Sequence, residues 1–83
     1  MDKLSTFREA IDVLDHQIIT LLIERFTLVE NIKEEKKKLN LPILDSNREA
    51  FILQKLREYP FNDALNDIFK TIMAVSKDIQ KKV

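Results

Sequence analysis

The chain has 83 residues, enough for one domain and too few for two. It holds 14 basic and 14 acidic residues, no cysteine and one histidine, His16, which excludes disulfides, thiolate metal sites, cysteine nucleophiles, a histidine metal cluster and the cationic surface of a nucleic-acid binder. A domain this small buries a modest core and leans on disulfides, metal or a partner chain; of these, composition leaves oligomerisation.

Glycine is absent and the only prolines are Pro42 and Pro60. They divide the chain into three pieces with no helix breaker inside any of them. Strand-like alternation is missing, so the expected fold class is all-α, with three helices in a single domain over residues 1–83. The longest apolar run, IITLLI at 18–23, is far too short to span a bilayer. The N-terminal stretch MDKLSTFREA lacks the apolar core of a signal peptide. A cytoplasmic protein with no membrane or nucleic-acid partner is the expectation.

The first predicted helix runs over about residues 3–39. Leu4, Phe7, Ile11, Leu14, Ile18, Leu21, then 25, Leu28, Ile32, 36 and Leu39 follow a 3-4-3-4 spacing, an apolar seam at the heptad period. Ser5, with Arg8 and Glu9 nearby, is the expected start. The sequence NLP at 40–42 is the stop, because the residue before proline leaves the α region. At about 1.5 Å per residue such a helix is roughly 54 Å long, against a radius of gyration of only about 12 Å for a compact chain of this size. It overhangs its own domain, and its seam stays exposed unless a second molecule covers it. A homodimer on paired first helices is therefore expected.

The second predicted helix follows Asp45, a good N-cap, with Glu49 in its first turn. Phe51, Ile52, Leu53 and Leu56 form its apolar face, and Tyr59-Pro60 ends it. The third starts near Asn62, a second N-cap candidate, and closes with Lys81 and Lys82, the sign that suits a helix C-terminus. Its apolar face is Leu65, Ile68, Phe69, Ile72, Met73, Ile79 and Val83. Short connections predict antiparallel neighbours.

Polar residues interrupt these stripes at particular places. Arg25 and Lys36 break the first seam eleven residues apart, which leaves them about 20° apart around the helix and roughly 16 Å apart along it. Ser76 and Gln80 break the third, one turn apart. Arg48 and Glu49 stand beside the cap Asp45. Each has an ordinary reading alone. Arg25 can snorkel at a core edge, Lys36 lies in the charge run KEEKKKL, and Ser76 can bond back to its own helix. Gln80 can be solvated, Asp45 is a cap in any case, and Arg48 and Glu49 can be surface charges. Together they describe a cationic cavity with several donors and one carboxylate, suited to a small multivalent anion that carries a hydroxyl. Arg8 flanks the seam about 26 Å along the axis from Arg25. It cannot reach that cavity in its own chain but can from an antiparallel partner helix.

Five pieces of sequence occur in order: R-x-x-I-D-x-L-D from Arg8, L-L-x-E-R ending at Arg25, Lys36 eleven residues later, P-I-x-D-x-x-R-E from Pro42, and S-x-x-x-Q from Ser76 to Gln80. In this order and spacing the chain resembles the AroQ-type chorismate mutases over about residues 4–80. The resemblance implies an intertwined all-helical homodimer whose two sites each borrow an arginine from the partner, here Arg8. It implies a site of Arg8, Arg25, Lys36, Asp45, Arg48, Glu49, Ser76 and Gln80. It also implies conversion of chorismate to prephenate, a Claisen rearrangement in the shikimate pathway to aromatic amino acids, with no cofactor and no metal.

By resemblance, Arg8 of the partner and Arg25 hold the two substrate carboxylates, with Ser76 adding a donor. Lys36 and Gln80 donate to the ether oxygen. Glu49 accepts from the ring hydroxyl, helped by the backbone at Asp45, and Arg48 positions either Glu49 or a carboxylate. Three other readings stay open. One is a chorismate- or prephenate-sensing domain fused to, or associated with, another shikimate-pathway enzyme. One is an isochorismate-pyruvate lyase. The last is a dimerisation bundle with no ligand.

Overall fold

The computed structural model describes residues 2–82; Val83, expected on the third apolar face, lies outside them. Three α-helices follow one another: α1 (Lys3–Leu39), α2 (Ser46–Lys55), prolonged by a single 3-10 turn at Leu56–Glu58, and α3 (Asn62–Lys81). No strand occurs among the described residues.

Helix α1 is uninterrupted because nothing within it breaks a helix. Its cap is Asp2, not Ser5: the Asp2 carboxylate accepts the Ser5 N–H at 2.7 Å. Ser5 is therefore the capped residue, three places inside. This hydrogen bonding holds the Asp2 carboxyl below its usual range. At the other end Asn40 takes the left-handed conformation (φ 56°, ψ 40°). The N–H groups of Asn40 and Leu41 turn back to the carbonyls of Lys37 and Lys36. This is a Schellman closure with asparagine in the place glycine usually fills, and Pro42 follows it.

Asp45 caps α2 as expected, accepting the Arg48 N–H at 3.0 Å. Asn62 does not cap α3. Phe61 stands in the cap position with a left-handed backbone (φ 57°) and an exposed ring, while the Asn62 side chain donates to the Arg57 carbonyl at 3.2 Å. The sequence NDAL opens α3 from inside its first turn.

Helix α3 packs on both α1 and α2, whereas α1 and α2 do not pack directly on each other. The two are not the neighbours that a short connection predicts. The turn at 40–45 splays them apart, and α3 floors the gap. The small core is Val29, Leu56 and Met73.

The face α1 turns to its own chain is also not the heptad seam. Leu22, Arg25, Phe26, Val29, Lys33 and Lys36 are buried or half-buried. The seam residues Leu4, Phe7, Ile11, Leu14, Ile18 and Leu21 are 53 to 63 % exposed, and Leu28, Ile32 and Leu39 are exposed too. The molecule measures 57 × 27 × 14 Å, an elongated and flattened shape. Its accessible surface, 7126 Å², exceeds by about 2,000 Å² the roughly 5,200 Å² expected of a compact chain of 9.8 kDa.

Candidate functional site

The gap between α1 and α2 is a cavity of about 360 Å³, within the usual range for small-molecule sites, about 300–1,000 Å³. All three helices line it. From α1 come Arg25 and Lys36, on either side of Val29 and Ile32. The start of α2 gives Asp45, Arg48 and Glu49, and α3 gives Met73, Ser76, Lys77 and Gln80. Seven of the eight residues expected from the sequence thus line one cavity. The eighth, Arg8, is exposed on the overhanging half of α1 and does not line the cavity of its own chain. A larger cleft of about 630 Å³ lies between α2 and α3. Its lining mixes Arg57 and Lys70 with Asp63 and amides, and no stripe-breaking residue faces it, so size does not make it the candidate.

Arg25 is the best anchored of the cations. Its Nη1 donates to Ser76 Oγ at 2.7 Å, and the Ser76 hydroxyl donates in turn to the Ile72 carbonyl at 2.7 Å. The buried hydroxyl thus does what a lone serine on a helix does, bonding back one turn, and its oxygen fixes a guanidinium in passing. Burial, and after it the nearby Arg48 charge, push Arg25 below the usual arginine range. The site stores like-charge repulsion that an anion relieves.

Lys36 donates to the Ile43 carbonyl at 2.6 Å, tying the last turns of α1 to the connector. An ammonium has three protons, so two remain for another acceptor. Glu49 is paired with Lys77, Nζ to Oε2 at 3.1 Å and to Oε1 at 3.5 Å. Arg48 does not hold Glu49. Its guanidinium lies 5.6 Å from the Phe51 ring centroid. The Gln80 amide nitrogen makes a long bond, 3.4 Å, to the Ser76 carbonyl, and its buried oxygen Oε1 has no partner.

Two contributors were not legible in the sequence. Lys77 sits beside Ser76 in the pair Lys77-Asp78 and breaks no apolar stripe, so periodicity could not single it out. The Ile43 carbonyl is backbone, which side-chain patterning does not report. With Lys77 included, four cations (Arg25, Lys36, Arg48, Lys77) face two carboxylates (Asp45, Glu49). The lining thus carries a surplus of two positive charges. Among the described residues no three His, Cys, Asp or Glu side chains are grouped to hold a metal, and no helix is long and apolar enough to cross a membrane.

The model of one protein family, chorismate mutase type II, matches residues 7–81. A chorismate mutase of Methanocaldococcus jannaschii is 30% identical, over 99% of this chain and 88% of that protein. A bifunctional chorismate mutase/prephenate dehydratase of Aquifex aeolicus is 34% identical over the whole of this chain, which spans only 25% of that longer protein. Among solved structures, a conserved hypothetical protein from Pyrococcus furiosus superposes with a TM-score of 0.86 at 40% identity, covering 98% of this chain and 99% of that one.

Proposed function

Because the chain belongs to the chorismate mutase type II family, we propose that residues 1–83 form one chorismate mutase domain that converts chorismate to prephenate. The observation that carries this reading is the cavity itself. Three helices bring Arg25, Lys36, Glu49, Ser76 and Gln80 to one wall-to-wall space whose charge surplus matches a dianion.

The rearrangement breaks one ether C–O bond and forms one C–C bond within the same molecule. It needs no proton transfer and no nucleophile. The protein has two tasks: to hold the substrate in the compact conformer in which the carbons meet, and to stabilise negative charge on the ether oxygen as its bond breaks. Arg25, held by Ser76, takes one carboxylate bidentately. Ser76 acts here through Arg25, since its own proton goes to Ile72. Lys36 offers its two free protons to the ether oxygen. Gln80 joins it when its amide turns over, exchanging the long bond to Ser76 for a donor aimed into the cavity. The unpaired Oε1 shows how little the present orientation gains. Glu49 keeps acceptor sites for the ring hydroxyl beside those taken by Lys77.

The second carboxylate is taken by Arg8 of a second copy. A homodimer is supported by the uncovered seam and by an accessible surface larger than a compact chain of this size exposes. Loss of the ultraviolet absorbance of chorismate on adding the purified chain tests the reaction. Turnover supports it. Binding of chorismate without turnover identifies a sensing domain instead, a reading favoured only by the fused relatives, and release of pyruvate from isochorismate identifies a lyase.

A further inference from the structure

We propose that Lys77 is a positioning residue of this site: it neutralises and aims the Glu49 carboxylate so that a dianion can bind beside it. The inference rests on the chorismate reading for its ligand, and on the geometry of α2 and α3 for its mechanism.

Lys77–Glu49 differs from the other ion pairs among the described residues. Those join Lys37 to Glu34 and Lys38 to Glu35 within one turn of α1, and are well exposed. Lys77 joins α3 to α2 across 28 positions of sequence, and both side chains are about 30 % exposed or less. It is the one side-chain partner of the Glu49 carboxylate among the described residues.

A carboxylate in the lining is a liability for a dianion. It repels each incoming carboxylate over a few ångströms in a medium less polar than water. Yet the site keeps Glu49 as its acceptor for a hydroxyl donor. Lys77 resolves the conflict. Its Nζ spans both Glu49 oxygens at 3.1 and 3.5 Å from the α3 side. That cancels the charge and leaves the remaining lone pairs for the cavity. The other charged groups facing Glu49 are Arg25 and Lys36 on α1 and Arg48 and Asp45 at the start of α2. Arg25 is engaged with Ser76, Lys36 with Ile43, and Asp45 with the cap of α2, while Arg48 lies over the Phe51 ring and makes no ion pair with Glu49. None of them replaces Lys77.

The test compares Lys77→Met and Lys77→Arg, each with native Glu49 and with Glu49→Gln. It measures KM and kcat for chorismate, and Kd for prephenate by calorimetry where turnover is slow. With native Glu49, Lys77→Met should raise KM about tenfold at pH 8, the scale of one unscreened charge near the ligand, while kcat changes much less. Lys77→Arg should restore KM. With Glu49→Gln, Lys77→Met should change Kd less than about twofold, because no carboxylate remains to neutralise. An equal Kd penalty in both backgrounds overturns the proposal, since Lys77 would then attract the dianion directly. An unchanged KM in Lys77→Met overturns it too. If the native chain binds prephenate but turns over no chorismate, the catalytic reading fails and the Kd comparison still decides the role of Lys77. If it binds neither, both fall.

Discussion

The uncovered seam of α1 makes a quantitative prediction. Ile11 and Ile18 are each 53 % exposed in the single chain. Fully burying an isoleucine is worth about 1.5–3 kcal/mol, so covering the exposed half of each contributes about 1 kcal/mol. Replacing both by glutamate removes that gain at four positions of a dimer, about 4 kcal/mol or roughly a thousandfold in Kd. The unpaired carboxylates cost more. The lone chain loses almost nothing, since both sites are already solvated and glutamate is a better helix former than isoleucine. Sedimentation velocity should therefore find the native chain at twice 9.8 kDa and the double variant at that mass itself, with helical content retained. Chorismate turnover should vanish with the dimer, because Arg8 lies about 26 Å along α1 from Arg25 and reaches a site only from a second chain. A native chain that is active as a monomer, or a double variant that keeps both dimer and activity, refutes the reasoning.

Three further outcomes follow from the site. Lys36→Ala and Gln80→Ala should each lower kcat at least about a hundredfold, the scale of a lost oxyanion donor; a near-native kcat removes that residue from the mechanism. Mixing Arg8→Ala chains with Lys36→Ala chains should recover activity, because one of the two sites in a mixed dimer is intact; no recovery argues for self-contained sites. Arg25→Met should raise the melting temperature of the ligand-free protein while abolishing turnover. The cost of the cation comes first from burial and then from Arg48. Its folded pKa is depressed, so that cost is present wherever Arg25 is charged and fades only as pH rises through the arginine range. The gain should therefore hold from acid to mildly alkaline pH, and a lower melting temperature counts against stored repulsion.

The helices were legible in the sequence because their determinants are local: no glycine, prolines only between pieces, and Asp45 at a cap. The errors at helix starts are local as well. Asp2 and Ser5 are both good caps three residues apart, and periodicity does not choose between them. Asn62 lost the cap position to Phe61 because its amide found the Arg57 carbonyl, a contact no pattern reports. The lining of the candidate cavity was legible where a polar group broke an apolar stripe, at Arg25, Lys36, Ser76 and Gln80. It was illegible at Lys77, whose charged neighbour Asp78 makes it look like ordinary helix surface.

Why the stripe-breaking residues of α1 can serve the proposed site without being a core defect follows from the two faces of that helix. At 100° per residue, the exposed seam and the face packed on α3 have centres about 60° apart. The seam runs through Leu14, Leu21, Leu28 and Ile32, and the packed face through Leu22, Phe26, Val29 and Lys33. Arg25 and Lys36 belong to both sets and fall on the line between them. A side chain there is half-buried by its own α3 and stands at the edge of whatever covers the seam. A cation without an ion-pair partner is tolerable in such a place, because it is not fully removed from water in the single chain. If the proposed second chain covers the seam, a ligand that touches Arg25 and Lys36 lies against that chain as well. On the proposed reading, the exposed seam and the need for Arg8 from a second chain have one cause, the offset between the two stripes of α1.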